Sequence, residues 1–243
     1  MNEYTIENNK ISQFILRIDL QKQATVDFQR LASDLEPLYL RLVKSIQHNL
    51  NVNMDTEELT ARDFENFVLH TDSNVQLKLL SLEKAIILET STYIDNSVYV
   101  ERLSDIIEKI NQQEIGEVKA SRIGMRYINT FPCNHKNSIK KILQSPCDKA
   151  IIGSINKENL SRSIFVEQYN CGDYYVRVQY GVPNKFYPSV IRNYDLTLDI
   201  DVYNSCLTPI GEWQEVVKNF NHAAYDKFCE YIREEYINSM RNE

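Results

Sequence analysis

Two arginines, Arg122 and Arg126, flank Gly124 in the segment Ser121-Arg122-Ile123-Gly124-Met125-Arg126-Tyr127-Ile128-Asn129. On a strand, alternate side chains share a face. Arg122, Gly124, Arg126 and Ile128 then point one way, and Ile123, Met125 and Tyr127 point into a core. Two guanidinium forks over a glycine gap can hold a phosphate or a carboxylate bidentately. The plainer reading salt-bridges both arginines to a neighbouring strand, with Asp199 and Asp201 as the obvious partners. Lys140 and Lys141 extend the ligand-binding reading into a basic patch. Seven Lys or Arg occur from Lys119 to Lys149 against one acid, Asp148.

Asp195, Asp199 and Asp201 fall on one face of a second strand, with Leu196, Leu198, Ile200 and Val202 on the other. Clustered carboxylates can hold Mg²⁺ or Mn²⁺, which makes Asp199 and Asp201 weak metal candidates. A solvated or arginine-paired strand face explains them more simply. Cys133, His135, Cys147 and Cys171 lack the paired short spacings of a zinc site. They read as ordinary thiols beside a loop histidine, so no metal site is expected. Tyr169, Tyr174, Tyr175, Tyr180, Tyr187 and Tyr194 crowd one stretch. They suit sheet packing first, and second a contact surface with Arg177, Lys185 and Arg192. No glycine-rich dinucleotide loop, phosphate loop, nucleophile elbow or HExxH motif occurs, which argues against an enzyme and against a bound cofactor.

These residues need a frame. Phe14–Leu20 reads as a strand. Thr25–Leu50 shows helical spacing through Val26, Leu31, Leu35, Leu38, Leu42 and Ile46, broken or kinked at Pro37. Strands are predicted over Phe64–His70, Val75–Ser81 and Ala85–Tyr93, and a helix over Val98–Ile110. The second half predicts a strand over Val118–Phe131 and a short helix over Ser138–Leu143. A hairpin follows, made of Ser163–Gln168 and Tyr174–Tyr180 around Asn170-Cys171-Gly172-Asp173. Asp195–Tyr203 is the last predicted strand. A terminal helix then opens at Pro209-Ile210-Gly211-Glu212, with Trp213, Val216, Val217, Phe220, Ala224, Phe228 and Tyr231 at three- and four-residue steps; about 27 residues would span roughly 40 Å.

The segments IILETSTY (Ile86 to Tyr93) and LTLDIDVY (Leu196 to Tyr203) share one design at an offset of 110 residues. Each has an acid at its fourth position, Glu89 or Asp199, and each ends in tyrosine. The predicted class is therefore α+β. Two duplicated halves of strand, helix, three strands and helix, residues 1–115 and 116–243, would form curved antiparallel sheet and end in a long C-terminal helix. Any working site is expected in the second half, where the copies diverge in charge.

Composition agrees with a globular chain: 43% apolar and 25% charged residues exclude a disordered class. Five irregularly spaced cysteines and no apolar run near 18 residues predict a cytoplasmic protein with free thiols and no membrane association. The net charge of −7 opposes nucleic-acid binding over the whole surface but leaves room for a local patch. Ten acids stand against four bases from Asp195 to Glu243, an asymmetry suited to head-to-tail homo-oligomers or to a partner.

The segment Arg122–Asn129, with LDIDVY and the closing amphipathic helix, resembles a sporadically distributed, uncharacterised family of bacterial and archaeal proteins. That family carries an R-[IV]-G-[LM]-R-Y-[IV]-N motif. The resemblance covers most of residues 10–240, and the approach to the first strand is shorter than the family pattern. It implies no activity. The family's patchy distribution resembles that of genes on mobile or antiviral defence loci, which implies a component of a defence or toxin-control system. The expected function is non-enzymatic recognition of a protein partner. The rival is a nucleotide or nucleic-acid binder, or a nuclease, at the patch around Arg122 and Arg126.

Overall fold

The computed structural model describes residues 8–53, 58–71, 74–113 and 117–242. The predicted boundary between residues 115 and 116, and the centre of the predicted turn at Thr71–Asn74, lie outside them. The strands form a ten-stranded antiparallel sheet and the class is α+β. The first half runs β1 (Ile11–Leu20), α1 (Phe28–Leu35), β2 (Arg41–Asn53), β3 (Glu58–His70), β4 (Val75–Leu80), β5 (Ala85–Thr90) and α2 (Asn96–Gln113). The second runs β6 (Lys119–Phe131), α3 (Ile139–Ile142), α4 (Cys147–Ile155), β7 (Ser163–Asn170), β8 (Tyr175–Val182), β9 (Leu196–Tyr203), β10 (Thr208–Pro209), α5 (Trp213–Tyr231) and α6 (Glu234–Asn242).

Strand order is β2-β3-β4-β5-β1-β6-β9-β8-β7, with β10 on β6. Each half therefore makes a three-strand meander whose last strand returns to pair with the half's first strand. In the first half β3, β4 and β5 end on β1; in the second β7, β8 and β9 end on β6. The first half adds β2 (Arg41–Asn53), where the helical spacing predicts a continued helix. Leu42, Ile46 and Leu50 recur every fourth residue, and that spacing keeps one face on a helix and on a strand alike. Pro37 ends the helical course in a 3₁₀ turn over Glu36–Leu38, and the chain pairs along thirteen residues with β3. The long C-terminal helix forms as the sequence predicts, opening in a 3₁₀ turn over Ile210–Glu212. It stops at Tyr231 because the segment 142–144 takes its backbone groups. Gln144 N–H donates to Tyr231 O, Arg233 N–H donates to Ile142 O, and Leu143 bridges Ile232.

The chain divides into two compact units. One comprises Ile15–Ile123 and Ser205–Gln214. Its core joins Leu16, Ile18 and Leu20 of β1 to Leu77 and Leu79 of β4 and Ile86 and Leu88 of β5, under α1 and α2. The helices contribute Phe28, Leu31 and Leu35, and Tyr99, Leu103, Ile106 and Ile110. Asp27 caps α1 by accepting from the N–H groups of Gln29 and Arg30.

The other unit comprises Met1–Phe14, Gly124–Asn204 and Glu215–Glu243. Met125, Tyr127, Asn129 and Phe131 of β6 stand opposite Val202, Ile200, Leu198 and Leu196 of β9. Val178 and Tyr180 of β8 continue the rows. Over them lies the apolar stripe of α5: Val217, Phe220, Ala224, Phe228 and Tyr231. Tyr127 is anchored to that helix by donating to Asn221 Oδ1 at 2.7 Å. Among the described residues, no helix is long and apolar enough to cross a membrane.

Candidate functional site

The strand face opposite α5 is built by register. Three cross-strand rows follow from the pairing of β6, β9, β8 and β7. They are Gly124–Tyr203–Tyr175–Asn170, Arg126–Asp201–Arg177–Gln168 and Ile128–Asp199–Gln179–Val166. Period-two alternation sends all these side chains away from the core that α5 covers. Arg177, Gln168 and Val166 are exposed, and most of the others are half-buried. Tyr175 and Tyr203 stack with ring centroids 5.5 Å apart.

Arg126 engages Asp199 with both arms of its fork: Nε donates to Oδ1 at 2.8 Å and Nη2 to Oδ2 at 2.6 Å. The Asp199 side chain is 8% exposed and that of Arg126 38%. The hydrogen bonds that Arg126 donates to Asp199 raise the Arg126 pKa above its ordinary value, outweighing burial, with further support from the charges of Asp199 and Asp201. The guanidinium thus stays charged and already holds a carboxylate. Arg122 lies on β6 in the other compact unit and is half-buried. Lys140 and Lys141 are exposed on α3, which joins the helices through the Leu143–Ile232 bridge. Within this unit, Arg126 and Arg177 lie on the open strand face, Lys140 and Lys141 on the helical side, and Arg192 is exposed in the β8–β9 connection.

Asp201 stands opposite both Arg126 and Arg177. Among the described residues, no group of three or more His, Cys, Asp or Glu side chains is placed to hold a metal ion. All five cysteines are free thiols. Cys133 is buried, which pushes its thiol up to about 11. His135 and Cys171 are exposed and Cys147 is half-buried.

A second cluster is marked by no motif in the sequence. Glu167 of β7 receives three phenol hydroxyls. Tyr169 donates to Oε2 at 2.5 Å, Tyr231 to Oε2 at 2.6 Å and Tyr180 to Oε1 at 3.1 Å. The ammonium of Lys227 sits 3.7 Å from the Tyr169 ring centre. The hydroxyl of Tyr169, then that of Tyr231, holds the Glu167 carboxyl below its usual range, against burial. Burial, then the Glu167 carboxylate, raises the Tyr231 pKa. The only sequence signal was the alternation of Glu167 and Tyr169 on one strand face; the other two tyrosines come from β8 and α5. This cage ties the last strand of the sheet order to α5.

A pH-dependent contribution follows. Because the folded-state pKa of Glu167 is depressed, its stabilisation is fully present above the unfolded value near 4.3. It is lost as pH falls through the lower folded value. Tyr231→Phe should cost about 1–2 kcal/mol at neutral pH, a cost that shrinks as pH falls through the lowered folded value of Glu167. Urea unfolding of both proteins across the acid range measures this, and a difference independent of pH would refute the assignment.

In the unit Ile15–Ile123, a cleft of about 410 Å³ lies between the turn at Pro37–Leu40 and α2. Tyr39 lines it with Arg102 and Asp105, and burial raises the Tyr39 pKa. Comparison with protein-family models and with curated proteins gives no match to the chain.

Proposed function

We propose that the protein is a non-enzymatic recognition or adaptor protein that docks a protein partner on the open strand face of β6, β9, β8 and β7. The observation that carries this reading is the row Arg126–Asp201–Arg177–Gln168, set between the stacked Tyr175 and Tyr203 and the apolar Ile128 and Val166. Arginine and tyrosine dominate binding energy at protein interfaces. Alternating charges across a face favour one register of a partner over others. Arg126 and Arg177 are matched in number by Asp199 and Asp201, so this face offers no net attraction to a polyanion. The resemblance of Arg122–Asn129 and LDIDVY extends the proposal to a component of a prokaryotic defence or toxin-control system.

The test compares affinity capture from the native host with the parent protein, an Arg177→Glu/Tyr203→Ala variant and a Lys140→Glu/Lys141→Glu variant. A near-stoichiometric partner should be retained by the parent and by the lysine variant. Its retention by the open-face variant should fall by roughly 30-fold, as for loss of about 2 kcal/mol at a hot spot. Recovery of no protein at near-native abundance, or equal recovery by all three, would sink the reading.

A further inference from the structure

The two meanders differ at one connection. β4 and β5 are joined by Ser81–Lys84, four residues, whereas β8 and β9 are joined by Pro183–Asp195, thirteen. Long ordered connections in compact domains are commonly functional. This one is held in a fixed shape. Asn184 is buried in the left-handed region at φ 54°. Its amide donates to Ser161 O at 2.9 Å and Ser189 O at 2.7 Å and accepts from Phe186 N–H at 3.2 Å. Ile191 N–H donates to Leu160 O.

The shape so fixed displays apolar side chains that a solvated loop has no reason to show. Phe186 is 61% exposed, Tyr187 56% and Val190 44%. Each ring has a cation against it: Arg162 lies 4.2 Å from the centre of Tyr187, and Lys185 5.4 Å from that of Phe186. Arg192 is exposed in the same connection. Pro183–Tyr194 contains no acid, in a chain of net charge −7. The exposed Lys157 and Glu158 just before Leu160 cancel in formal charge. No ion pair among the described residues takes up Arg162, Lys185 or Arg192.

We infer that Pro183–Tyr194, with Arg162, binds single-stranded nucleic acid. Bases stack on the open faces of Phe186 and Tyr187, and phosphates meet Arg162, Lys185 and Arg192. Aromatic platforms interleaved with cations are what a single strand requires, because every base has a π-face and every nucleotide a charge. Cations lying directly against the rings place charge within one nucleotide of each stacking surface. None of these residues belongs to the three cross-strand rows of the docking face, so an adaptor using both would bring a protein and a nucleic acid together.

Fluorescence polarisation of a labelled oligothymidylate with the full chain tests the inference. We expect saturable binding that weakens roughly 20-fold between about 50 and 200 mM salt, as three phosphate contacts to a single strand predict. Phe186→Ala/Tyr187→Ala should weaken it at least about 30-fold, the loss of two stacked bases. Lys185→Glu/Arg192→Glu should abolish it, and Lys140→Glu/Lys141→Glu should leave it unchanged. All these side chains are exposed, and unchanged circular-dichroism melts verify that the variants fold. No binding by the parent at low salt would overturn the inference, as would undiminished binding by the aromatic variant. Binding to anionic phosphatidylserine vesicles without binding to the oligonucleotide would reassign the loop to a lipid surface.

Discussion

Gly181→Ala is expected to cost on the order of 3–5 kcal/mol, combining backbone strain with an overpacked contact. Gly181 lies on β8 at φ 146°, where a side chain is disfavoured. A Cβ there would sit 2.1 Å from the backbone oxygen of Ser163 and 3.0 Å from the Ile164 Cα, both on β7. No side-chain rotation relieves a clash with backbone, so β7 must move. β7 stands at the end of the strand order, paired on one side by β8 alone. It also carries Glu167, so its displacement draws the carboxylate away from the hydroxyls of Tyr180 and Tyr231. Urea unfolding should show the loss, with a melting temperature roughly 10 °C lower. In the Gly181→Ala background, Tyr231→Phe should then have little further effect, since both act on one contact. A cost below about 1 kcal/mol, or fully additive losses, would contradict this account of the β7 edge.

The alternating faces of β6 and β9 were legible in the sequence because period two is unambiguous when both strands carry long apolar rows. Ile123, Met125 and Tyr127, and Leu196, Leu198, Ile200 and Val202, are all buried as the alternation requires. Asp199 and Asp201 were the partners expected for Arg122 and Arg126 together, and the structure pairs Arg126 with Asp199. β2 was illegible because a four-residue spacing fits both periods and because its pairing with β3 is a tertiary fact. The break after Tyr231 was equally hidden: the groups that compete for its backbone lie near residue 143, about ninety positions upstream. The Glu167 cage gathers residues from β7, β8 and α5, and nothing local marks such a set. The long β8–β9 connection was visible as a tyrosine-rich stretch with Lys185 and Arg192. What singled it out was the exposure of Phe186 and Tyr187 and the buried Asn184 that fixes them.

Arg126→Met is expected to destabilise the protein by about 2–3 kcal/mol and to lower its melting temperature by several degrees. The difference between the two halves explains why that side chain is needed. Glu89 and Asp199 occupy matching positions on β5 and β9. In the first half, Lys78 of β4 reaches Glu89 at 2.5 Å. By register, Gln76 faces Glu89 as Gln179 faces Asp199, so Lys78 corresponds to Gly181. Glycine has no side chain to offer, and Asp199 takes its cation from β6 on its other side. Removing Arg126 leaves a nearly buried carboxylate without its bidentate partner. The cost lies below that of a fully buried pair because the guanidinium is 38% exposed. Asp199→Leu in the Arg126→Met background should restore most of the loss, since an apolar pair replaces a buried ion pair without leaving a charge behind. A double-mutant cycle by urea unfolding reads this as a coupling above about 1 kcal/mol. A coupling near zero would mean that Arg126 is not committed to Asp199, and the fork would then be available to a phosphate or carboxylate ligand. Under the docking proposal, the double variant should stay folded and still weaken partner capture, because it removes a cation and an anion from the recognition face together.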